Sequence, residues 1–438
     1  MMAEGQSPSG ALTGGERSGA SRATRGVTVS TQVTAKKILF VDDEERVLEG
    51  LKRMLRPLRH EWQMEFLSDS YRVMRVLEEQ QFDVMVTDIR MPGMDGMMLL
   101  NHLQKNHPKI VRIVLTGHTE LEAALRALPV AHQFLSKPCD PATLRKVIDR
   151  ACSLNELLGS EAVRNIVGGI GTLPSLPDVY GQLLDLLAQP DVSAKEVSEV
   201  IEADMALCAK ILQLTNSAYI GLSRPITTLR NAVAYLGTNM IKNIVLSSEV
   251  HRWVAEEQLP RGFSPERLQR HSFLCARLIP KLVHDVPFME DAITAAILLD
   301  IGQLVLATQL KDQFTVVLEA ARVSETPLHT LETEMLGVSH AEVGAYLLGL
   351  WGLSYPVVEA VAHCHEPQRV AYPDFDVLGV VALAEQLITE ACGQLGEGPL
   401  HNVDPEFVES LGMTSQLPAL RALAVAEIPA LSQGEGVE

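Results

Sequence analysis

The stretch VMVTDIRMPGMDG, residues 84–96, decides how the N-terminal part of the chain is read. An apolar run of strand type stops at Asp88, and a loop punctuated by proline and glycine follows. Three other apolar runs stop in the same way: ILFV (38–41) at Asp42 and Asp43, RIVL (112–115) at Thr116 and Gly117, and HQFLS (132–136) at Lys137 and Pro138. In an open parallel sheet, ligands bind in the crevice outside the carboxyl ends of the strands. The pattern therefore brings three carboxylates, a hydroxyl and an ammonium to one crevice.

Crowded carboxylates repel, and at least one is pushed towards protonation unless a cation is present. Mg²⁺ meets that need, since it takes oxygen ligands, keeps several waters and is held by one or two carboxylates plus the oxygens of a phosphate. An aspartate nucleophile, a hard metal, and Thr and Lys donors for phosphoryl oxygens are the parts of a phosphoryl-transfer site.

On these residues, 36–152 resembles the receiver domain of two-component response regulators. The resemblance implies a flavodoxin-like fold, an α/β doubly wound, parallel, five-stranded sheet. It also implies that Asp88 is the phosphoacceptor, and that Asp42, Asp43, Asp88 and the backbone carbonyl of Arg90 hold Mg²⁺, Asp43 directly and Asp42 mainly through water. Thr116 and Lys137 would contact the phosphoryl group, Phe134 would be the switch aromatic, and the Lys137-Pro138 bond would be cis, a geometry essentially restricted to X-Pro. A histidine kinase or phosphotransfer protein is the implied phosphodonor of this phosphorelay. Arg90 and His118, two residues after Asp88 and Thr116, are placed to flank a water attacking the phosphoryl group.

The chain of 438 residues is too long for one typical core, and 47% hydrophobic content marks globular domains. A net charge of −18 argues against a non-specific nucleic-acid surface and against attraction to anionic lipid. The cysteines at 139, 152, 208, 275, 364 and 392 form no CxxC pair and no disulfide framework, which suits reduced thiols. The longest apolar stretch, 292–310, is interrupted by Asp300 and Gln303, so no membrane span is expected and the protein is read as cytoplasmic. Residues 1–35, rich in Gly, Ser, Thr and Ala, have no run long enough for a signal-peptide core and are expected to be a disordered tail.

Val47, Leu48, Leu51, Met54 and Leu55 recur at helical spacing, so the first helix buries one face on the sheet. Asp140 and Pro141 give an N-cap followed by proline at the first helical position. Apolar positions Leu144, Val147, Ile148, Ala151, Leu154 and Leu158 carry that helix onward as a linker over 141–161, overlapping the end of the receiver. From 162 the pattern is helical without strand alternation. LPSLPDVYGQLLDLL (173–187) puts Leu176, Val179, Leu183, Leu186 and Leu187 on one face, and Ser193 with Glu196 has capping-box spacing.

These segments resemble the HDOD family: the LP-x-LP opening, a helix starting at Asp204, the Asn216-Ser217 pair, the Leu236-Gly237 turn and SHAEVGAYLLGLWGL (339–353). The resemblance implies an all-α HDOD helical domain over 162–370. A helical acidic extension follows over 371–438, with eleven Asp and Glu against one Arg, read as a solvated cap on the bundle.

HDOD domains look like relatives of HD-type metal phosphohydrolases, whose imidazole and carboxylate ligands hold a transition metal that activates water. His271, Asp300, His340, His363 and His365 fall where such ligands would be. The expected His-Asp pair reads Leu299-Asp300, a Lys expected after it reads Gln303, a His-His pair reads Cys364-His365, and Tyr372-Pro373 lacks a preceding glycine. These departures make the five residues remnants of a degenerate site, so the HDOD domain is expected to hold no cofactor and to be non-catalytic. The implied whole is a response regulator whose receiver controls an interaction domain with its own protein partner, through a homodimer contact on phosphorylation or through release of the HDOD surface. The alternatives are a receiver-regulated HD-type phosphohydrolase acting on a cyclic dinucleotide, and a transcription factor, which the charge disfavours.

Overall fold

Four apolar runs that fail to alternate with polar residues are strands buried on both faces, as parallel sheets require, and a fifth strand, WQMEFL (62–67), alternates and lies at the edge. β1 (Lys36–Val41), β2 (Trp62–Leu67), β3 (Val84–Asp88), β4 (Val111–Gly117) and β5 (Gln133–Lys137) form an all-parallel sheet in the order β2-β1-β3-β4-β5. This computed structural model describes residues 35–91, 96–117, 121–157, 160–170, 173, 177–187, 189, 192–217, 220, 222, 225–238, 240–241, 244, 259–284, 286–324, 326–370, 375–395 and 402–432. His118, Leu158 and the Tyr372-Pro373 pair lie outside the described residues. β1 lies between β2 and β3, so the winding reverses there and opens the crevice at the ends of β1 and β3. The edge strand β2 is only half-buried along its middle, and Phe66 stacks on Phe40 of β1 at 4.9 Å.

The connecting helices are α1 (Glu45–Met54), α2 (Ser70–Glu79), α3 (Gly96–Asn106), α4 (Leu121–Ala127) and α5 (Pro141–Leu157). Leu48 and Leu51 bury the inner face of α1. Asp140 caps α5, its Oδ1 accepting from the backbone N–H of Ala142 (2.9 Å) and Thr143 (3.0 Å). Gly96 starts α3 where a Cβ would stand 2.1 Å from the Asp88 carbonyl oxygen, so only glycine allows the helix to begin against the end of β3.

The helical region contains α6 (Glu161–Gly168), α7 (Pro177–Leu187), α8 (Ala194–Glu202), α9 (Met205–Thr215), α10 (Leu229–Leu236), α11 (Pro265–Leu282), α12 (Met289–Ile297), α13 (Ile301–Gln309), α14 (Lys311–Val323), α15 (Leu328–Leu336), α16 (His340–Leu350), α17 (Tyr355–His363), α18 (Val377–Gln394), α19 (Pro405–Ser410) and α20 (Leu417–Ser432). Local signals set the helix ends. Ser193 and Glu196 form the capping box of α8, Asp204 caps α9 by accepting from Leu207 N–H at 2.9 Å, and Gly237 takes φ 77° after α10. Asn216 receives the next segment with both ends of its amide, donating to Ile226 O (2.8 Å) and accepting from Ile226 N–H (2.7 Å). The apolar segment Met289–Gln309 is long enough to span a bilayer by length and composition, but 78% of its most apolar 18-residue window is buried in the bundle. All six cysteines are free thiols.

One expectation is corrected here. Within the C-terminal region α18 is not solvated but buried along most of its length, whereas Asp404, Glu406 and Glu409 are exposed. Two of the region's acids face partners, Glu390 taking a bidentate pair from Arg421 of α20 (2.6 and 2.8 Å) and Glu427 of α20 meeting Arg277 (3.2 Å) and Lys281 of α11.

Candidate functional site

At the β1/β3 switch point the sequence-derived acids converge. Asp42, Asp43 and Asp88 present carboxylate oxygens within 4.8 Å of one another. The Lys137 ammonium at the end of β5 bridges two of them, 2.7 Å from Asp42 Oδ2 and 2.9 Å from Asp88 Oδ2. Asp88 Oδ1 accepts from Ile89 N–H at 2.7 Å, and Asp42 Oδ1 from Glu44 N–H at 3.0 Å. Burial pushes the Asp88 carboxyl upward and Asp42 adds to this, while the bond and charge of Lys137 pull back. Burial works against the Lys137 charge, but its bonds to Asp42 and Asp88 outweigh it and raise the ammonium.

Thr116 is fully buried at the end of β4, in register with Ser136, and Phe134 is fully buried in β5 opposite Val114. Lys137-Pro138 is cis. Arg90 follows β3 with an exposed side chain. The donor set is all oxygen, and buried Asp42 Oδ2 makes an ion pair but no aligned hydrogen bond. That arrangement suits a hard divalent cation.

The strands that carry these groups also carry a contact with the helical region; residues 36–438 form one compact unit. Gln133, next to Phe134, donates to Leu350 O of α16 at 2.7 Å. Gln213 of α9 donates to Ala131 O at 3.1 Å, and Gln104 to Ile170 O at 2.6 Å. Arg112 of β4, 1% exposed, donates to Val130 O (2.5 Å) and to Gly168 O at the C-terminal end of α6 (2.9 Å). A helix C-terminus is a favourable place for a cation. Gly168 permits the approach, since a Cβ there would fall 1.7 Å from Pro108 O. Arg150 of α5 donates to Gly352 O at 3.4 Å and to Leu353 O.

A second cluster lies inside the helical bundle. Asp300 Oδ2 faces His271 Nδ1 (3.1 Å) and accepts from Ser272 Oγ (3.4 Å), and Oδ1 accepts from Gln303 Nε2 (3.0 Å). His340 Nδ1 meets Glu332 Oε2 at 2.6 Å, and its Nε2 lies 2.8 Å from His365 Nε2 and 3.6 Å from Asp300 Oδ1. His365 Nδ1 is 3.7 Å from Glu385 Oε1, and His329 stacks on the same ring at 4.9 Å. Burial opposes the charge of Asp300, yet the His271 bond and the surrounding imidazoles hold it below the usual carboxylate range. Burial depresses His340 but Glu332 more than restores it, whereas burial and the His340 charge drive His365 well down.

Of the five sequence-derived positions, His271, Asp300, His340 and His365 are joined. His363 is not part of this contact set, and the charges that act on it are those of Glu359, Arg369, Glu366 and Glu342. Leu299 is fully buried in the core. Glu332, Glu385, His329 and Thr389, whose Oγ1 lies 3.1 Å from His271 Nε2, were not singled out by sequence; no motif connects them, and only the packing of α15 on α16 and of α18 on α11 and α17 brings them in.

A family model of the response regulator receiver domain matches residues 38–149, and one of the HDOD domain matches residues 173–367. An uncharacterized protein of Treponema pallidum is 25% identical over 224 residues, 51% of this chain and 44% of its own length. The DNA-binding transcriptional regulator NtrC of Salmonella typhimurium is 34% identical over 128 residues, 28% of this chain and 27% of its own. The chain thus spans less than half the length of these curated relatives. The MmoQ response regulator of Methylococcus capsulatus, a solved structure, is 21% identical, with TM-score 0.45, over 57% of this chain and 98% of that one. The chain thus joins an N-terminal receiver domain to a C-terminal HDOD domain.

Proposed function

We propose that Asp88 accepts a phosphoryl group from a histidine kinase or phosphotransfer protein, and that the receiver thereby controls the HDOD domain. The observation that carries this reading is the Lys137 ammonium set between Asp42 and Asp88 at the switch point of the sheet. Asp88 is the nucleophile because it ends β3 at the centre of the crevice, with one oxygen already held by Ile89 N–H. Asp42, Asp43 and Asp88, with the carbonyl of Arg90, would hold a Mg²⁺ ion, which when bound supplies the positive charge that three close carboxylates and a phosphoryl group require. Lys137 and Thr116 hold phosphoryl oxygens, and Arg90, two residues after Asp88, is the side chain proposed beside the path of hydrolytic water.

The response passes along β4 and β5. Thr116 and Lys137 sit at one end of these strands, while Arg112, Gln133 and Phe134 lie further back, against the helical region or in the core. Displacement of Thr116 and Phe134 towards a phosphoryl group strains the Gln133 and Arg112 bonds to α16 and α6, and frees the HDOD surface for a protein partner. A charge change acts globally only by biasing an element with two arrangements, and this interface is that element. The HDOD domain acts by interaction, without turnover: Leu299 offers no lone pair where a central ligand is needed, and Gln303 binds Asp300 and brings no charge to a phosphate.

The test is phosphorylation by a radiolabelled small-molecule phosphodonor in Mg²⁺. Wild-type protein takes up label and Asp88→Asn takes up none. Equal uptake by the two proteins refutes the assignment.

A further inference from the structure

We propose that Asp300, His340 and His365 form a mononuclear site for a divalent transition-metal ion of the zinc or cobalt type, held without hydrolytic turnover. This reverses the expectation, drawn from the broken His-Asp and His-His pairs, that no metal is held in the HDOD domain, and it stands independently of the phosphoacceptor reading.

Three features of the geometry lead here. The ligand atoms of the three residues lie within 4.8 Å of one another, and the two imidazole Nε2 atoms are 2.8 Å apart. Two nitrogens so close must either share a proton or face a common electrophile. Second, each ring has a carboxylate on its far side. Glu332 Oε2 takes the Nδ1–H of His340 at 2.6 Å and also accepts its backbone N–H at 2.7 Å, which fixes the tautomer that turns the Nε2 lone pair inward. Glu385 stands 3.7 Å from His365 Nδ1. A carboxylate behind a histidine is the usual device for orienting a metal ligand and raising its basicity. Third, Glu332 is fully buried and its Oε1 has no hydrogen-bond partner among the described residues. A second buried negative charge beside Asp300, with one oxygen unpaired, is costly unless positive charge lies near.

Two imidazoles and one carboxylate select a borderline transition ion over Mg²⁺ or Ca²⁺, which take oxygen sets. Access runs past His365 and His271, whose side chains retain 14% and 24% exposure in a cluster where Asp300 and His340 are closed off. Gln303 and His271 hold the Asp300 oxygens in place, so they are positioning residues.

The experiment titrates the full chain, purified without chelator and then stripped, with Co²⁺, reading visible ligand-field absorption and the unfolding temperature. The expected result is about one equivalent of Co²⁺ with a ligand-field band and a raised unfolding temperature, since an ion that binds only the folded state stabilises it. Zn²⁺ should displace the band. His365→Gln, the most exposed member of the trio, should abolish it, while His363→Gln and Asp43→Asn keep it, the latter because the receiver crevice is all oxygen. If wild type gives no ligand-field band, or if the band persists at full strength in His365→Gln, the two imidazoles merely share a proton and the proposal fails. The label-uptake test with Asp88→Asn does not respond to His365→Gln, so failure here leaves the phosphoacceptor reading untouched.

Discussion

The receiver crevice and the HDOD cluster both crowd carboxylates against cationic side chains, and they manage the charge in opposite ways. In the crevice, three acids at strand ends face a single ammonium, and Asp43 remains partly exposed. Asp42 and Asp88 are buried against Lys137, so the surplus negative charge meets water through Asp43, the acid left open beside a position for a cation and a phosphoryl group. In the bundle, Asp300 and Glu332 are closed off and meet imidazoles at hydrogen-bond distance, and Glu332 Oε1 is left without a hydrogen-bond partner among the described residues. Substitution of Asp43 should therefore remove metal binding and spare stability, whereas substitution of Asp300 should cost stability.

The largest expected effect is on Asp300→Ala. It strips the shared partner from His271 and His340 and leaves buried imidazoles uncompensated, so chemical denaturation should show a loss of about 3–5 kcal/mol, as for other broken buried pairs. A loss below about 1 kcal/mol, within the range of ordinary surface changes, would mean that the cluster is solvated and the contrast is false.

Lys210 sharpens the contrast, because it is a buried charge whose cost comes from burial alone. It lies in the fully buried helix α9, and desolvation lowers its ammonium from 10.5 to about 8. A lysine with a depressed folded pKa binds fewer protons in the folded than in the unfolded state between those values, so its contribution to stability rises with pH from about 8 to 10.5. Lys210→Met should therefore stabilise the protein at pH 7 by up to roughly 3 kcal/mol, at 1.36 kcal/mol per pKa unit. The gain should shrink steadily as pH rises through that window. A difference between variant and wild type that stays flat with pH would show that Lys210 is not desolvated.

The smallest effect on stability belongs to Asp43→Asn, expected within about 0.5 kcal/mol of wild type because the position is partly exposed. Its Mg²⁺ affinity, read by calorimetric titration, should fall clearly at the same time. A large loss of stability would place Asp43 in the same class as Asp300.

The crevice was readable because its signal is local and repeated: four of the five strands announce their buried faces by an apolar run and their ends by Asp42, Asp88, Thr116 or Lys137. The caps at Asp140 and Ser193 rest on equally local chemistry, whereas the cis bond and the helix start at Asp204 came from the family resemblances. The bundle was harder because its signals are long-range. Glu332, Glu385 and Thr389 lie on separate helices, and each alone reads as an ordinary polar position. The acidic count after residue 371 misled for the same reason, since Glu390 and Glu427 point at Arg421, Arg277 and Lys281 and not at water. Arg112 and Gln133 gave no sign of an interface, because a polar residue inside an apolar strand is distinctive only once its partner is known.

The central claim is that occupancy of the receiver crevice is felt by the HDOD domain through the β4–β5 contact. Hydrogen exchange of the full chain, with and without beryllofluoride and Mg²⁺ as a phosphoryl mimic, tests it most directly. Residues 128–136 and 163–170 should lose amide protection when the mimic binds wild type, and should be unchanged in Asp88→Asn. If the crevice segments become protected while residues 163–170 and 340–353 exchange as before, the receiver does not control the HDOD domain through this interface.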